Sequence, residues 1–416
     1  MKSKLFFCFV LLLVVKTTIA QTIAIPDSNF EQALIDANQD SDGIINGLIS
    51  QADAEAVITL ALNNKDINSL QGIEGFINVS GLVCSNNNLT SLDVSNNTAL
   101  LSLDCSGNNL SNLDVSNNTI LLSLLAFGNQ LTSVDVSDNS ALEYLNVAVN
   151  QLTSIDVSSL NSLVTFYCVS NQLTSLDVSN LTNLELLSCY NNTLINLNLN
   201  NATGLKNLQC YQNQLSTINV STNTALEDLF CIQNNLTSLD VSSNTLLKTI
   251  RASGNELTSL DVSQNPVLTL LSIENNDLSS LNMRNGNNTA ITSLGTGNNE
   301  NLMCIDVDDE GYSTANWTNI DTHTSFSENC ASLGVDDSSL LNRVQLYPNP
   351  STTGTIHLKG LQESATVKIY DINSRIIFNK SIKNNQAIHI NKMPSGIYVI
   401  NISNAKGNTT KKLIIR

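Results

Sequence analysis

The sequence is poor in the residues that most protein chemistry depends on. It has 3 histidines in 416 residues (His323, His357 and His389), which leaves little material for acid–base catalysis near neutral pH. Lys and Arg number 19 against 36 acidic residues, giving a net charge of −17. A nucleic-acid binder needs clustered cations to neutralise phosphates, so that class is excluded. With 5 prolines and 42% hydrophobic residues, the chain is neither a Pro-rich extended polymer nor globally disordered. Beyond the N-terminus no apolar run approaches the roughly 20 residues that a membrane-spanning helix requires.

What is present begins with an export signal. Lys2 and Lys4 precede the apolar run Leu5–Val15, and Thr18-Ile19-Ala20 supplies small residues before Gln21. Residues 1–20 therefore read as a signal peptide. Residues 21–330 hold 5 basic and 32 acidic side chains, a net −27, whereas residues 331–416 hold 11 and 4, a net +7. Such a reversal marks a domain boundary, with the Ser- and Asp-containing stretch 331–342 as linker.

The acidic part is a repeat array. Asparagine recurs at 87, 108, 129, 150, 171, 192, 213, 234, 255 and 276, a period of 21 without slippage. Leu follows two residues later throughout, a large aliphatic or Phe precedes by five, and Leu or Val precedes by eight. The unit is LxxLxCxxNxLxxLDVSxNxx, as in Leu100–Ile120. A unit this short cannot bury its own apolar face and must stack on its neighbours. Leu103-x-Cys105 predicts a short strand with Ser102, Asp104 and Ser106 facing out, and the recurring Asn predicts an amide ladder at an inward turn. Leu110-x-x-Leu113-Asp114-Val115 predicts the convex return.

These spacings resemble the 21-residue bacterial class of leucine-rich repeats and, more loosely, internalin-type surface proteins. The resemblance implies a leucine-rich-repeat β-solenoid of about 10–12 coils across residues 58–300. It also implies a non-catalytic protein that binds other macromolecules or sugars. Residues 21–57 would form an N-terminal cap with a helix in Pro26–Ala37, and residues 301–330 a C-terminal cap. Six cysteines share the inward position of the unit; they read as small hydrophobes in a tight core, with bridges between neighbouring rungs as the alternative. Cys304 and Cys330 flank the end of the array and are expected to pair as a capping disulfide.

Outward positions of the concave strands carry Leu125, Phe127, Tyr144, Val149, Tyr167, Val169, Tyr190, Tyr211, Phe230 and Ile232. From these, Phe127, Tyr144, Tyr167, Val169, Tyr190, Tyr211, Phe230 and Ile232 are the candidate ligand-binding residues, for a protein or a glycan. The competing reading is that aromatics simply favour strands and stack along the ladder. The convex face carries Asp93, Asp114, Asp135, Asp156, Asp177, Asp240 and Asp261, with Asn198 and Asn219 between, read as Asx turns or as cation sites between coils. In the cap, Asn38, Asp40, Asp42 and Gly43 resemble the start of an EF-hand loop and suggest Ca2+, or else a solvated acidic turn. The twelfth position is Ile49 where Glu belongs; Asp53 or Glu55 could replace it only in a longer loop.

Residues 343–416 read as seven short strands, Val344–Tyr347, Thr355–Leu358, Ala365–Tyr370, Arg375–Asn379, Gln386–Ile390, Gly396–Ile402 and Thr410–Ile415, in a small immunoglobulin-like β-sandwich. The motifs Tyr347-Pro348-Asn349-Pro350, Gly354, Val367-x-Ile369-Tyr370-Asp371, Gly396-Ile397-Tyr398-Val399 and Lys412–Arg416 closely resemble the type A C-terminal sorting domain of the type IX secretion system. That resemblance implies the secretion machinery as partner and a secreted or outer-surface location in a Gram-negative bacterium. The whole then reads as an exported adhesion or recognition protein, with a structural surface or matrix protein as the alternative.

Overall fold

The structure, a computed structural model, describes residues 21–330 and 344–416 apart from positions 362, 374, 405 and 406. The expected signal peptide and the linker 331–342 lie outside the described residues. Two compact units divide between Phe326 and Ser327.

The first unit is a solenoid. Twelve three-residue strands, from Thr59–Ala61 to Ser293–Gly295, stack in chain order into one parallel sheet. The register keeps apolar residues in line, with Leu103 between Leu82 and Leu124 and Leu187 between Phe166 and Leu208. After each strand the chain passes through a left-handed residue, such as Gly107, Gly128 or Gly254 at φ of 62°, 66° and 68°. That conformation turns the backbone inward and suits glycine, which has no Cβ to clash.

The turn places the recurring asparagine, and its amide closes the coil. Asn108 Nδ2 donates to the carbonyls of Cys105 in its own coil and Cys84 in the preceding one, both at 3.0 Å. Its Oδ1 accepts the Leu89 N–H at 3.0 Å. The same pattern continues through Asn276. An eleventh rung follows at Asn299, after a longer coil, with Nδ2 on the Ile273 and Thr296 carbonyls. The longer coil hid this rung from a fixed-period reading.

A second amide column runs under the convex side. Asn97, Asn118, Asn139, Asn223, Asn244 and Asn265 are fully buried. Each Nδ2 bonds two carbonyls, as Asn118 does with Val94 and Asn97. Those carbonyls also accept backbone N–H groups, from Asn97 and Leu100. The Oδ1 atoms have no partner. Leu160, Leu181 and Ala202 occupy the same column position in the middle coils, fully buried or nearly so.

The two columns should therefore respond differently to mutation. Asn171→Leu strands the Leu152 N–H and leaves the Val147 and Cys168 carbonyls without the amide, and should cost about 2–4 kcal/mol. Asn139→Leu removes an unsatisfied oxygen and copies what Leu160 already does, so it should cost under about 1 kcal/mol. Urea unfolding midpoints of both variants check this; equal losses would contradict it.

The convex aspartates form Asx turns. Asp93, Asp114 and Asp135 are joined by parallel bridges, and each Oδ1 accepts the N–H of the serine two residues on at 3.0 Å. Asn198 and Asn219 make the equivalent bonds to Asn200 and Ser221. Hydrogen bonds from Ser95, Ser116 and Ser137 hold these three carboxyls below their usual value of 3.8. Depressed folded-state values stabilise the fold above the unfolded value, and that contribution is lost as pH falls through them. Urea midpoints should thus decline below about pH 4, and Asp93→Asn/Asp114→Asn/Asp135→Asn should decline less over the same range. Matching declines in both proteins would show that these turns play no part.

The array cysteines 84, 105, 168, 189, 210 and 231 are free and buried. Burial pushes the Cys105 and Cys231 thiols up to about 12 and raises the other four as well. They pack as uncharged hydrophobes. Cys304 and Cys330 are disulfide-bonded.

Caps cover the ends of the core. Helix α1 (Ser28–Asp36) starts at Asp27, whose Oδ1 accepts the Asn29 and Phe30 N–H groups while Oδ2 accepts those of Asn68 and Ser69. One side chain thus begins the helix and ties it to the first coil, where Phe30 meets Phe76 at 6.0 Å. At the other end Trp317 is 5% exposed, donates Nε1 to the Ile291 carbonyl and packs on Phe326.

Among its described residues the second unit has seven strands in two sheets. Gln345–Tyr347, Thr355–Lys359 and Ala387–His389 form one; Ile376–Ile382, Ala365–Tyr370, Gly396–Asn404 and Gly407–Ile415 form the other, in that spatial order. Alternating Val367, Ile369, Ile400, Ile402 and Leu413 fill its core.

Candidate functional site: the concave face

The sheet register sorts the outward side chains into rows. Tyr144 lies at the first strand position, in the row of Thr165, Leu186, Asn207 and Asp228. Tyr167 and Phe230 lie at the third position, with Ser188 and Gln209 between them. Phe127, Val169, Tyr190, Tyr211 and Ile232 form a third row just past the strands, where backbone pairing continues from Phe127 to Glu274. Ala148 fills that row's one gap in the aromatic and branched run, and Ser106 and Ser253 border it. The candidate residues are therefore distributed over three adjacent rows.

Within the third row Tyr190 and Tyr211 stack face to face, 4.1 Å apart and 10° from parallel. Burial, then a hydrogen bond to Tyr190, pushes the Tyr211 phenol up to about 12, so it stays neutral. Tyr144 and Tyr167 meet diagonally at 5.9 Å and 48°. Arg251 lies 5.6 Å over the Phe230 ring, within cation–π range. Phe127 is 37% exposed, whereas Val169 is 7% exposed and forms floor rather than contact surface. Val149 leaves the strand rows: it occupies the left-handed turn at φ 53° with 54% exposure. A β-branched residue is strained there.

A polar relay lies between these aromatics and was not anticipated. Ser188 Oγ donates to Gln209 Oε1 at 3.1 Å, Gln209 Nε2 to Asn207 Oδ1 at 3.0 Å, and Asn207 Nδ2 to Asp228 Oδ2 at 3.3 Å. A search for aromatics passes over it; amides and a carboxylate at outward positions of adjacent coils were the available signal. Along the strand-entry edge, Lys206 bonds Glu185 at 2.7 Å and Lys248 bonds Glu227 at 2.5 Å. These exposed pairs neutralise each other. Glu274 closes the polar end; burial opposes its charge, but the Ser253 and Ser272 hydroxyls hold it below its usual value.

The acidic loop of the cap is folded differently from its sequence pattern. Ile49, the twelfth position, is buried in the strand Leu48–Ser50 and pairs with Ile23. The loop is longer, and Asp53 in α2 (Gln51–Ala56) reaches back to accept the Ser41 N–H and hydroxyl. Asn38 is exposed on a left-handed turn. Burial and the charges of Asp42, Glu31 and Asp53 push the Asp40 carboxyl upward. Among the described residues no three acidic, histidine or cysteine side chains are already gathered as a metal site.

No curated protein matches the chain. Among solved structures it is similar to the functional domain of InlJ from Listeria monocytogenes, a domain that includes a cysteine ladder. The identity is 26%, the TM-score 0.64, and the match covers 95% of this chain and 99% of that one. It is also similar in fold to the internalin InlF of L. monocytogenes, at 21% identity and TM-score 0.54, over 73% of this chain and 98% of that one. No described helix is long and apolar enough to cross a membrane. Residues 345–416 match the secretion system C-terminal sorting domain. The chain is an exported, secreted or cell-surface leucine-rich-repeat protein with internalin-like structural neighbours.

Proposed function

We propose that this protein recognises a macromolecule, a protein or a glycan, through its concave face, and acts in adhesion or recognition without catalysis. The observation that carries this is the uninterrupted apolar row from Phe127 to Ile232, bordered along its own line by Ser106 and Ser253 and flanked by the outward aromatics Tyr144, Tyr167 and Phe230. Apolar rows of this kind, ringed by polar groups, are characteristic of binding surfaces. The relay from Ser188 to Asp228 adds fixed hydrogen-bonding groups beside it. Repetition argues against an active site: Asp and Ser recur at equivalent positions of most coils, as structure requires, whereas a catalytic set would occur once. The basic C-terminal segment, 343–416, would engage the type IX secretion machinery.

The alternative is a structural surface or matrix protein without a dedicated ligand. The Tyr190–Tyr211 stack favours it, because each ring at 4.1 Å covers a face of the other instead of offering it outward. Protein and glycan arrays probed with the exported chain separate the two. Tyr190→Ser/Tyr211→Ser should keep the circular dichroism and melting of the wild type while losing at least about tenfold in affinity for whatever is captured. Undiminished binding by the double variant, or no binding by the wild type, would favour the structural alternative.

A further inference from the structure

The acidic loop of the N-terminal cap has one feature that its own hydrogen bonds leave unexplained. Asp40 is 5% exposed, and its Oδ2 is enclosed without a hydrogen-bond partner. A buried carboxylate oxygen without a donor is unstable unless protonated or paired with a cation. The neighbouring donors are otherwise engaged. Asp40 Oδ1 accepts the Asp42 N–H at 3.4 Å, and Asp42 spends its own oxygens on the Ile44 N–H and Asn46 Nδ2 at 2.8 and 2.7 Å. Ser41, between the two aspartates, holds Asp53 Oδ2 through its hydroxyl at 2.8 Å. Glu31, 1% exposed, gathers the N–H groups of Asn46, Gly47 and Leu48 and so fixes the far side of the loop.

We infer that this loop binds a divalent cation of the calcium class, with Asp40, Asp42 and Asp53 as its carboxylate ligands. Asp53, from the first turn of α2, takes the place that the fixed twelve-residue spacing assigned to Ile49, and exposed Asn38 is not required. Calcium takes 6–8 oxygens at about 2.3–2.6 Å, which three carboxylates, loop carbonyls and water can supply. Because the three side chains are not yet gathered, binding must release Asp42 from Asn46 and Asp53 from Ser41. Binding is therefore coupled to local reordering, and affinity belongs in the weak range of extracellular calcium modules. The site would brace the loop between α1 and α2 and so the cap over the first coil, in a protein that works outside the cell.

Calorimetric titration of the EGTA-treated exported chain with calcium chloride tests this, alongside thermal melting with and without calcium. One calcium per chain is expected, with Kd about 0.1–1 mM, and a higher melting temperature in calcium. Asp40→Asn should weaken binding by at least about tenfold and abolish the melting shift. Asp53→Asn should weaken it comparably, and serves if Asp40→Asn does not fold. Asp135→Asn, in the convex ladder, should bind as wild type. Absence of heat and of a melting shift at about 5 mM calcium, or wild-type affinity in both Asp40→Asn and Asp53→Asn, would overturn the inference.

Discussion

Everything in the solenoid depends on one side-chain amide per coil. Where the strand ends and the chain turns inward, the carbonyls of Cys84 and Cys105 face the interior, and Asn87, Asn108 and Asn129 supply the donors they need. Each amide spans two coils and also accepts an N–H from the preceding one. A residue inserted between two rungs must be looped out, as in the longer coil before Asn299, or it would displace the amide from the preceding coil's carbonyl and N–H together. This is why ten asparagines hold one period, and why the outward rows of the concave face stay in register. The amide ladder determines the geometry of any ligand contact without touching a ligand.

Much of this was legible because repetition turns local chemistry into a pattern. Period, inward Leu and Cys, the Asx turns and the strands of the C-terminal unit all follow from residue types at fixed spacing. Features that break or cross the period were not. Asn299 was displaced by a longer coil. Val149 sits at the turn position that Gly107 and Gly128 fill more comfortably, so its chemistry suggested a strand while its place in the coil imposed a left-handed turn. The relay from Ser188 to Asp228 joins residues of three coils and has no signature within one unit. Asp53, foreseen only as a replacement in a longer loop, meets the acidic loop because the strand Leu48–Ser50 is inserted where a compact loop would continue.

The cysteines show how compartment and geometry pull apart. An exported chain with an even set of aligned thiols invites disulfides, and Cys304–Cys330 forms one. The six in the array stay free because they are rungs of the core, where their burial raises the thiols and leaves little thiolate to react. Charge follows the same division of labour. Outward and convex positions of the coils, together with the two caps, carry the carboxylates that give residues 21–330 their net −27, while the sorting segment is basic. A strongly acidic solenoid resists self-association, a useful property for a long stack of strands in a crowded exterior.

The middle of the array differs from its ends on both faces at once. On the concave side it carries Tyr144, Tyr167, Tyr190 and Tyr211. On the convex side the same stretch replaces buried asparagine with Leu160, Leu181 and Ala202. In the flanking coils each convex asparagine carries a buried oxygen without a partner, a destabilising element that the central coils lack. Those central coils gain apolar packing in its place. In a rod whose stability is a sum of neighbouring contacts, this makes the stretch beneath the aromatic strip the least prone to open. A surface that must hold aromatic side chains at fixed separations needs such a rigid base, and rigidity here comes from the side of the coil opposite the one that would meet a ligand.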